Sequence, residues 1–319
     1  MASRGAIEAR CMKAVAWIAL VTVLPLSVLA KEKPRPKILG ILQVRVLTTN
    51  QQQAQTFYYG ILRTLALANS TMTKCDWCEQ IANDRNGPVV LDSISGPLPK
   101  DLIGAVVINT DDADGLRKSL EKNKVKVAKW KKWTSVDAFA VFDPEGHQLI
   151  FVQAPDPGQP TLNMPGAYAP PSSHWSHVIH AGFVVHDPAA MDHFYKDILG
   201  FHVYWHGGMK DGETDWVDMQ VPDGTDWIEY MLNVPENADQ QLRGVMNHIA
   251  LGVSDIKVAD QQLLESNLHL PINEAPQMGR DGKWQLNLYD PDGTRIELME
   301  FTPVEKPCCS DYTGPHPKP

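Results

Sequence analysis

Four residues in the second half of the chain can bind a metal ion and recur at equal spacing. His180 and Glu229 are 49 positions apart, and so are His248 and Glu297. Two imidazoles and two carboxylates suit a borderline divalent ion such as Fe, Ni, Co, Mn or Zn. The spacing therefore predicts one divalent metal ion as cofactor, with positions left open for water or a substrate.

The segments around these residues have the alternating pattern of β-strands, in which successive side chains point to opposite faces. They are VIHAGFVV, DWIEYML, MNHIALGV and TRIELME. In each segment the apolar face is expected to pack on a helix, so that one His or Glu lies on the opposite face. The apolar face predicted for the first segment consists of Ile179, Ala181, Phe183 and Val185. Four such strands can aim their ligands at one centre.

Two shorter repeats make up the second half of the chain. VPDGTDWIEYM at 221–231 resembles DPDGTRIELME at 290–300, and VIHAGFVV resembles MNHIALGV. Each repeat predicts a strand, a helix and three more strands. The first helix is expected to start after Asp187 as N-cap, with Pro188 in its first turn, and the second after Asp255. The apolar stripe of the first helix is Met191, Phe194, Tyr195, Ile198 and Leu199.

The first half of the chain repeats the same pattern. Its apolar stripe includes Phe57 and Tyr58, which match Phe194 and Tyr195, and VFDPEGHQLIFV resembles LYDPDGTRIELM. The chain is long enough for about two domains of ordinary size. We therefore predict an α+β fold of four βαβββ modules. The predicted segments are a domain at 38–155, a Pro/Gly-rich linker at 156–174, a domain at 175–302 and a C-terminal tail at 303–319.

Composition and charge narrow the partners and the location. The 319 residues are 43% hydrophobic and 21% charged, as in soluble globular proteins. A formal net charge of −9 argues against nucleic acid and leaves a small-molecule substrate as the expected partner. Residues 1–30 have a basic start, an uncharged run and small residues before Lys31, which predicts a signal peptide. A secreted or periplasmic protein without membrane attachment is expected; an uncleaved anchor is the alternative.

Four cysteines remain once the predicted leader is removed: Cys75, Cys78, Cys308 and Cys309. In an oxidising compartment an even number of cysteines favours disulfides. The C-x-x-C spacing can instead bind structural zinc together with the C-terminal pair. Free or redox-active thiols are the third alternative, and the sequence does not fix the pairing.

The motifs HAGFVV, FYKDILGF, NHIALGV and DPDGTRIEL resemble the vicinal oxygen chelate superfamily, which includes glyoxalases, bleomycin-resistance proteins and extradiol dioxygenases. The resemblance is strong over 175–302 and weaker over 38–155. It implies two curved-sheet domains, each built from paired βαβββ modules. It also implies that His180 and His248 are the ligands on the first strands, and that Glu229 and Glu297 are the ligands on the last strands.

The four-ligand set is similar to that of glyoxalase I. This implies a lyase or isomerase that acts on a small substrate with vicinal oxygens through a metal-stabilised enediolate, with Glu297 as general base and Glu229 as the alternative. The ligand set of ring-cleaving dioxygenases resembles a three-ligand version that corresponds to His180, His248 and Glu297. These enzymes usually also have a Tyr at the position where this chain has Asn287. An extradiol Fe(II) dioxygenase is therefore the first alternative. A non-catalytic protein that binds a small ligand is the second.

The first half departs from the family pattern at the ligand positions. Aligned by sequence, Gln43 takes the place of His180, Gly104 of His248 and Ile150 of Glu297. Because Gly and Ile have no metal-binding side-chain atoms, we expect a metal-free scaffold domain. Glutathione-using members also resemble one another in an Arg on the first strand just after the first His, where this chain has Gly182-Phe183-Val184.

Aromatic residues and one loop are candidates for the pocket around the metal. Strand tryptophans can wall a pocket or pack in the core, and both interpretations stay open. The tryptophans concerned are Trp205, Trp216, Trp227 and Trp284. The glycine-bearing loop MGRDGKW at 278–284 is interpreted either as a lid or as an exposed hairpin.

Overall fold

A computed structural model describes residues 35–67, 88–128, 137–153, 175–266 and 275–319. The predicted signal peptide, the predicted linker and the Cys75–Cys78 motif lie outside these ranges. The described residues from Arg35 onward belong to one compact unit, and their strands form two β-sheets. No helix in the described ranges combines the length and apolar character needed to cross a membrane.

The first sheet has six strands in the order β2-β1-β3-β6-β5-β4. Its strands β1 and β3 pair antiparallel, while β1 with β2 and β3 with β6 pair parallel. Its elements are β1 (Ile38–Thr48), α1 (Gln51–Leu67), β2 (Val89–Ser93), β3 (Ile103–Thr110), α2 (Ala113–Lys122), β4 (Val127–Ala128), β5 (Ala138–Phe142) and β6 (Gln148–Val152).

The second sheet has eight strands in the order β12-β13-β14-β11-β7-β10-β9-β8. Its elements are β7 (Trp175–Val184), α3 (Pro188–Asp192, continued by the π-helical turn His193–Ile198), β8 (His202–Gly207), β9 (Trp216–Gln220), β10 (Trp227–Met231), α4 (Gln240–Met246), β11 (His248–Val253), α5 (Ile256–Glu265), β12 (Gln277–Met278), β13 (Trp284–Tyr289) and β14 (Arg295–Glu300). Two modules meet through the antiparallel pair β7–β11. The predicted α+β fold of paired βαβββ modules in two curved sheets is confirmed.

The helices begin where their capping residues predict. The Asp187 carboxylate accepts a hydrogen bond from the Ala190 N–H, and Pro188 occupies the first turn. The Asp255 carboxylate caps α5 in the same way. Burial of the predicted stripe anchors α3 to the sheet because its apolar side chains leave water. The buried members of that stripe are Met191, Phe194, Tyr195 and Leu199, and Ile198 is half-buried.

Alternation along the strands holds at the four predicted ligands but fails at Ile179. A bulge shifts the β7–β11 register, so that Ala250 pairs with His180 while Leu251 pairs with Val178. Val178 joins the helix-packed core together with Ala181, whereas Ile179 packs in a second cluster with Trp227 and Ala250 on the other face. The prediction that Ile179 packs against the helix is therefore wrong.

The two halves are braced by equivalent contacts. The Tyr195 hydroxyl, on α3 of the second half, donates to Asp143 in a turn of the first half at 3.2 Å. In the mirror arrangement, the Tyr58 hydroxyl on α1 donates to Asp290 in a turn of the second half at 3.0 Å. Each aspartate also accepts backbone N–H groups of its own turn, so it links the two halves while shaping the turn.

The C-terminal tail packs against the second sheet. Cys308 and Cys309 form a disulfide between adjacent residues, so the disulfide interpretation holds for this pair. The Trp205 indole N–H donates to the Cys308 carbonyl at 3.1 Å, and the Tyr312 hydroxyl donates to the Asp281 carbonyl at 2.8 Å. The tail is therefore part of the folded domain.

Candidate metal centre

The four predicted ligands converge on one centre. The Nε2 atoms of His180 and His248 are 3.0 Å apart. Oε2 of Glu229 lies 3.0 Å from Nε2 of His248 and 3.5 Å from Nε2 of His180. Oε2 of Glu297 lies 3.6 Å and 3.9 Å from the same two nitrogens. Their assignment as ligands stays a prediction, but the structure brings all four side chains together.

Strand pairing explains this convergence. Ala250 on β11 has His180 on one side and Glu297 on the other. Gly182 on β7 likewise lies between His248 and Glu229. Each small residue thus separates one imidazole from one carboxylate. The arrangement around Ala250 and the arrangement around Gly182 correspond because the two modules are repeats. The small residues leave the space that the larger side chains fill from the neighbouring strands.

Gly182 is required by the position of a ligand. A Cβ atom at this residue would lie 2.2 Å from Cε1 of His248, which is far closer than atoms can pack. An arginine at or beside this site would therefore compete with the imidazole for space. Close approach of another group is a common reason for glycine within a strand.

Hydrogen bonding turns one imidazole lone pair toward the centre. Nδ1 of His248 lies 2.8 Å from the Met246 carbonyl oxygen. Because a carbonyl oxygen can only accept, Nδ1 carries the proton and donates it. Nε2 is then unprotonated and faces the other three side chains. A carbonyl partner of this kind fixes the tautomer of metal-binding histidines.

Burial favours the neutral form of each group. Burial, followed by the proximity of His248, lowers the pKa of His180 well below its ordinary value, and burial also lowers the pKa of His248. Burial raises the pKa of Glu229 to about 7 and that of Glu297 to about 8. Four convergent Lewis bases in a dry site repel one another when the carboxylates ionise, and a cation would remove that penalty.

The donors fit a divalent ion. Ligand atoms at right angles, each about 2.1 Å from an ion, lie about 3.0 Å apart. This matches the 3.0 Å separation of the two Nε2 atoms. The donor atoms of His180, His248 and Glu297 all lie within 4.8 Å of one another. Oε1 of Glu297 has no hydrogen-bond partner within the described residues. His180, His248 and Glu297 fit a metal site, and Oε2 of Glu229 lies within 3.5 Å of both imidazole Nε2 atoms.

A pocket of about 320 Å³ opens above the centre. Of the four tryptophans, Trp205, Trp216 and Trp227 line it, whereas Trp284 packs beside the core under Lys257. The Trp227 ring lies 4.7 Å from that of His180, so this tryptophan also supports a ligand. Both interpretations of the strand tryptophans therefore apply, at different positions.

The loop at 278–284 forms part of the pocket wall. Met278, Gly279, Arg280 and Asp281 line the pocket. The loop is tied to the tail by a hydrogen bond from the Cys308 N–H to the Arg280 carbonyl, and the Arg280 side chain donates to the Gly208 carbonyl. The segment is the hairpin between β12 and β13, and these contacts hold its turn against the pocket. Its interpretation as a lid stays a prediction.

Two cationic residues near the centre were missed by the sequence analysis. Arg295 lines the pocket from β14, two residues before Glu297. This position could have been found, because alternation places it on the same face as the ligand. Lys283 is fully buried, with Nζ 4.5 Å from the centre of the Trp227 ring and 5.2 Å from that of Tyr312. No local pattern indicates its surroundings, because Tyr312 comes from the tail.

Acidic residues on neighbouring strands were missed as well. Asp218 on β9 pairs with Glu229 across the strands and lines the pocket. Burial, and then the nearby Glu229, raises the pKa of Asp218 well above its ordinary value. Asp281 is almost fully buried, and Oδ2 lies 3.9 Å from Nζ of Lys283. Asp281 and Asp218 thus offset the buried charge of Lys283.

The first half has different residues at the corresponding positions. In the second sheet Ala250 pairs with His180 and with Glu297. In the first sheet Val107 holds the same place, since it pairs with Gln43 and with Ile150. The counterpart of His248 is then Ala105 rather than Gly104, because strand pairing and sequence alignment differ by one residue. The counterpart of Glu229 is Val90. Three of these four residues have no ligand atom; a metal-free first half stays a prediction.

Known proteins resemble the chain in fold and in one segment of sequence. Residues 177–298 match the model of the glyoxalase/bleomycin resistance protein/dioxygenase superfamily. No curated protein sequence matches the chain significantly.

Two solved structures are similar over most of the chain. One is a variant of homoprotocatechuate 2,3-dioxygenase from Brevibacterium fuscum, with 18% identity, a TM-score of 0.55, and coverage of 87% of this chain and 74% of that one. The other is catechol 2,3-dioxygenase, with 13% identity, a TM-score of 0.57, and coverage of 89% and 96%. At this identity the likeness concerns the fold. The segment that matches the superfamily model, residues 177–298, contains all four converging side chains.

Proposed function

We propose that the protein is a metal-dependent lyase or isomerase that acts on a small substrate with two vicinal oxygens. The observation that carries this proposal is the position of Glu229. Its Oε2 atom approaches both imidazoles as closely as that of Glu297 does. Non-haem iron oxygenases use two histidines and one carboxylate, and thereby keep positions open for both substrate and dioxygen. A fourth protein ligand takes one of those positions and leaves a site suited to chemistry without dioxygen.

The roles of the residues follow from their contacts. His180, His248, Glu229 and Glu297 would hold a divalent ion, which when bound acts as a Lewis acid on substrate oxygens. Oε1 of Glu297, which lacks a partner among the described residues, accepts the proton removed from the substrate carbon. Glu229 is the alternative proton carrier, because it also lines the pocket. The tryptophan side chains limit the access of water to these carboxylates.

Metal analysis of the purified full chain tests the site. We expect about one divalent ion per chain, and loss of that ion in His180→Ala and Glu297→Ala. His193→Ala is the control, because this histidine is exposed on α3 and forms a surface pair with Asp197. Stoichiometric metal in both site variants would defeat the assignment. The metal that restores activity to the stripped protein identifies the ion among Fe, Ni, Co, Mn and Zn.

Hydrogen exchange into candidate substrates tests the reaction. The metal-loaded protein is incubated in D₂O with 2-hydroxy carbonyl compounds, and deuterium at the carbon is followed by NMR. We expect incorporation that persists without oxygen and falls at least a hundredfold in Glu297→Gln, the usual size of a lost general base. Tight binding with neither exchange nor product would instead indicate a ligand-binding protein.

An extradiol Fe(II) dioxygenase is the second candidate. Two observations favour it: the mutual closeness of His180, His248 and Glu297, and the likeness to dioxygenase folds across both halves. It requires oxygen uptake with catechols by the Fe(II)-loaded protein, and Glu229→Gln should keep that activity. In a lyase or isomerase, Glu229→Gln weakens metal binding and catechols cause no oxygen uptake.

We also propose that the protein is exported. The predicted signal peptide supports this, and so does the Cys308–Cys309 disulfide, since disulfides persist in oxidising compartments. Mass spectrometry of the mature protein should find Lys31 as the first residue. A full-length chain retained in the cytoplasm would refute export.

A further inference from the structure

The pocket above the metal centre has two unlike walls. Arg295 and Asn287 come from β14 and β13 at one side of the sheet, and Trp205 and Trp216 come from β8 and β9 at the other. Three of the predicted ligands lie on β11, β7 and β10 between these walls, whereas Glu297 shares β14 with Arg295. A bound molecule therefore meets a polar wall on one side of the metal and an aromatic wall on the other.

Arg295 on the polar wall has too few partners for its burial. Its side chain is 14% exposed. Nε has no hydrogen-bond partner among the described residues. The nearest carboxylate oxygen, Oε2 of Glu297, lies 3.9 Å from Nη2, beyond hydrogen-bond length. A buried guanidinium with unused donors is costly unless a ligand supplies the acceptors.

Other arginines of the described structure have partners. Arg243, 5% exposed, donates to Asp101 and to the Glu236 carbonyl, both at 3.2 Å. Arg280, also in the pocket wall, forms an ion pair with Asp211 and donates to the Gly208 carbonyl. Arg295 thus differs from Arg243 in pairing despite comparable burial. The Arg295 side chain also lines the pocket.

A neighbour extends the polar wall. Asn287 on β13 pairs with Glu297 across the strands and is almost fully buried, yet Oδ1 has no partner among the described residues. This amide oxygen can therefore accept a hydrogen bond from a hydroxyl group of a ligand. Arg295 is the cationic side chain on this side of the pocket, while the lining acids Asp218 and Asp281 lie close to the buried Lys283.

We propose that the substrate is a small organic acid with an apolar body, a conclusion that rests on the proposed function. Arg295 binds its carboxylate beside the metal, where the planar guanidinium matches the two carboxylate oxygens. The apolar body lies against Trp205 and Trp216. Burial of such an anion is favourable because its charge meets both the ion and the guanidinium in a site shielded from water.

Calorimetry with two matched ligands tests this assignment. Phenylglyoxylate and its neutral amide share a phenyl ring and two vicinal oxygens but differ in charge. For the metal-loaded full chain we expect the acid to bind at least tenfold more tightly than the amide. Arg295→Gln should reduce this preference at least tenfold, as is typical for a lost charge-assisted hydrogen bond. Arg295→Lys should keep part of the preference, which separates charge from misfolding.

Arg117→Gln is the control outside the pocket, because this guanidinium on α2 already pairs with Asp114 and Glu121. We expect less than a threefold change in the preference for the acid. An acid preference unchanged in Arg295→Gln, at equal metal content, would overturn the inference and leave the proposed function intact. If the metal-loaded protein binds neither compound, the proposed chelating function itself fails.

Discussion

At the scale of single residues, the centre depends on small side chains as much as on ligands. Alternation along four strands predicted the positions of His180, Glu229, His248 and Glu297, and all four side chains meet. The need for Gly182 was not predictable, because its reason is a histidine on another strand.

Gly182→Ala should weaken metal binding. The added methyl group would overlap the His248 ring at 2.2 Å, so the imidazole must move off the centre. We expect at least a tenfold lower affinity in competition with a chromogenic chelator. Gly104→Ala is the control, because its Cβ would meet the movable end of the Leu47 side chain at 3.0 Å, away from any predicted ligand. Equal affinities of both variants and wild type would contradict a direct role of the glycine.

Metal affinity should rise with pH between about 6 and 8. Burial raises the pKa of Glu229 to about 7 and of Glu297 to about 8 in the metal-free protein, so binding must displace their protons. Both imidazoles are already neutral there, because burial lowers their pKa. Titration calorimetry in buffers of different ionisation enthalpy should detect proton release. In Glu297→Gln the number of released protons should fall; a pH-independent affinity would refute the mechanism.

The metal-free protein should become less stable over the same range. A carboxyl group whose folded pKa exceeds its unfolded value, about 4.3, stabilises the folded state at low pH, and the contribution disappears as pH rises through the folded pKa. For Glu297 this window extends from about 4.3 to about 8. Thermal unfolding of chelator-treated protein should show a falling Tm across it. Glu297→Gln should reduce the decrease of Tm with pH. A Tm that rises from pH 5 to pH 8 would contradict the predicted loss of stability.

At the scale of elements, local pattern was sufficient for the helices and most strand faces. Capping aspartates and apolar stripes are local, and they predicted the starts of α3 and α5. The bulge at Ile179 and the one-residue difference between Gly104 and Ala105 were not predictable, because strand pairing sets both. The packing of the tail depends on contacts with distant residues such as Trp205, which no local pattern reveals.

The N-cap of α3 should contribute measurably to stability. Asp187→Ala removes the acceptor of the Ala190 N–H, and caps of this kind contribute about 1 kcal/mol to the free energy of unfolding. Asp192→Ala is the control within the same helix, because its ion pair with Lys196 is half-exposed. Such a pair should contribute only about 0.5 kcal/mol or less. Urea unfolding measures both. Similar losses in the two variants would mean that the cap is not a specific contribution.

At the scale of the whole molecule, the repeat in the sequence predicted two similar halves but not their mutual bracing. Tyr58 and Tyr195 were interpreted only as members of apolar stripes, yet their hydroxyl groups bond across the halves to Asp290 and Asp143. A helix stripe indicates which side chains are buried; the partner of a tyrosine hydroxyl depends on how the sheets meet. This bracing predicts that the halves unfold together.

Tyr58→Phe should test the coupling between halves. It leaves a largely buried Asp290 carboxyl without its hydroxyl donor, a loss of about 1–3 kcal/mol. Tyr59→Phe is the control, because Tyr59 is the next residue of the same helix and its side chain is only partly buried. A substitution of this kind should change stability by only about 0.5 kcal/mol or less. Because the bond spans both halves, calorimetry should show one transition in wild type that shifts as a whole in Tyr58→Phe.

Metal added to the second half should also raise hydrogen-exchange protection of β1 and β3, since a ligand of the folded state stabilises every element that unfolds with it. Protection that rises in the second sheet alone would show that the halves unfold independently, and that the tyrosine bonds do not couple them.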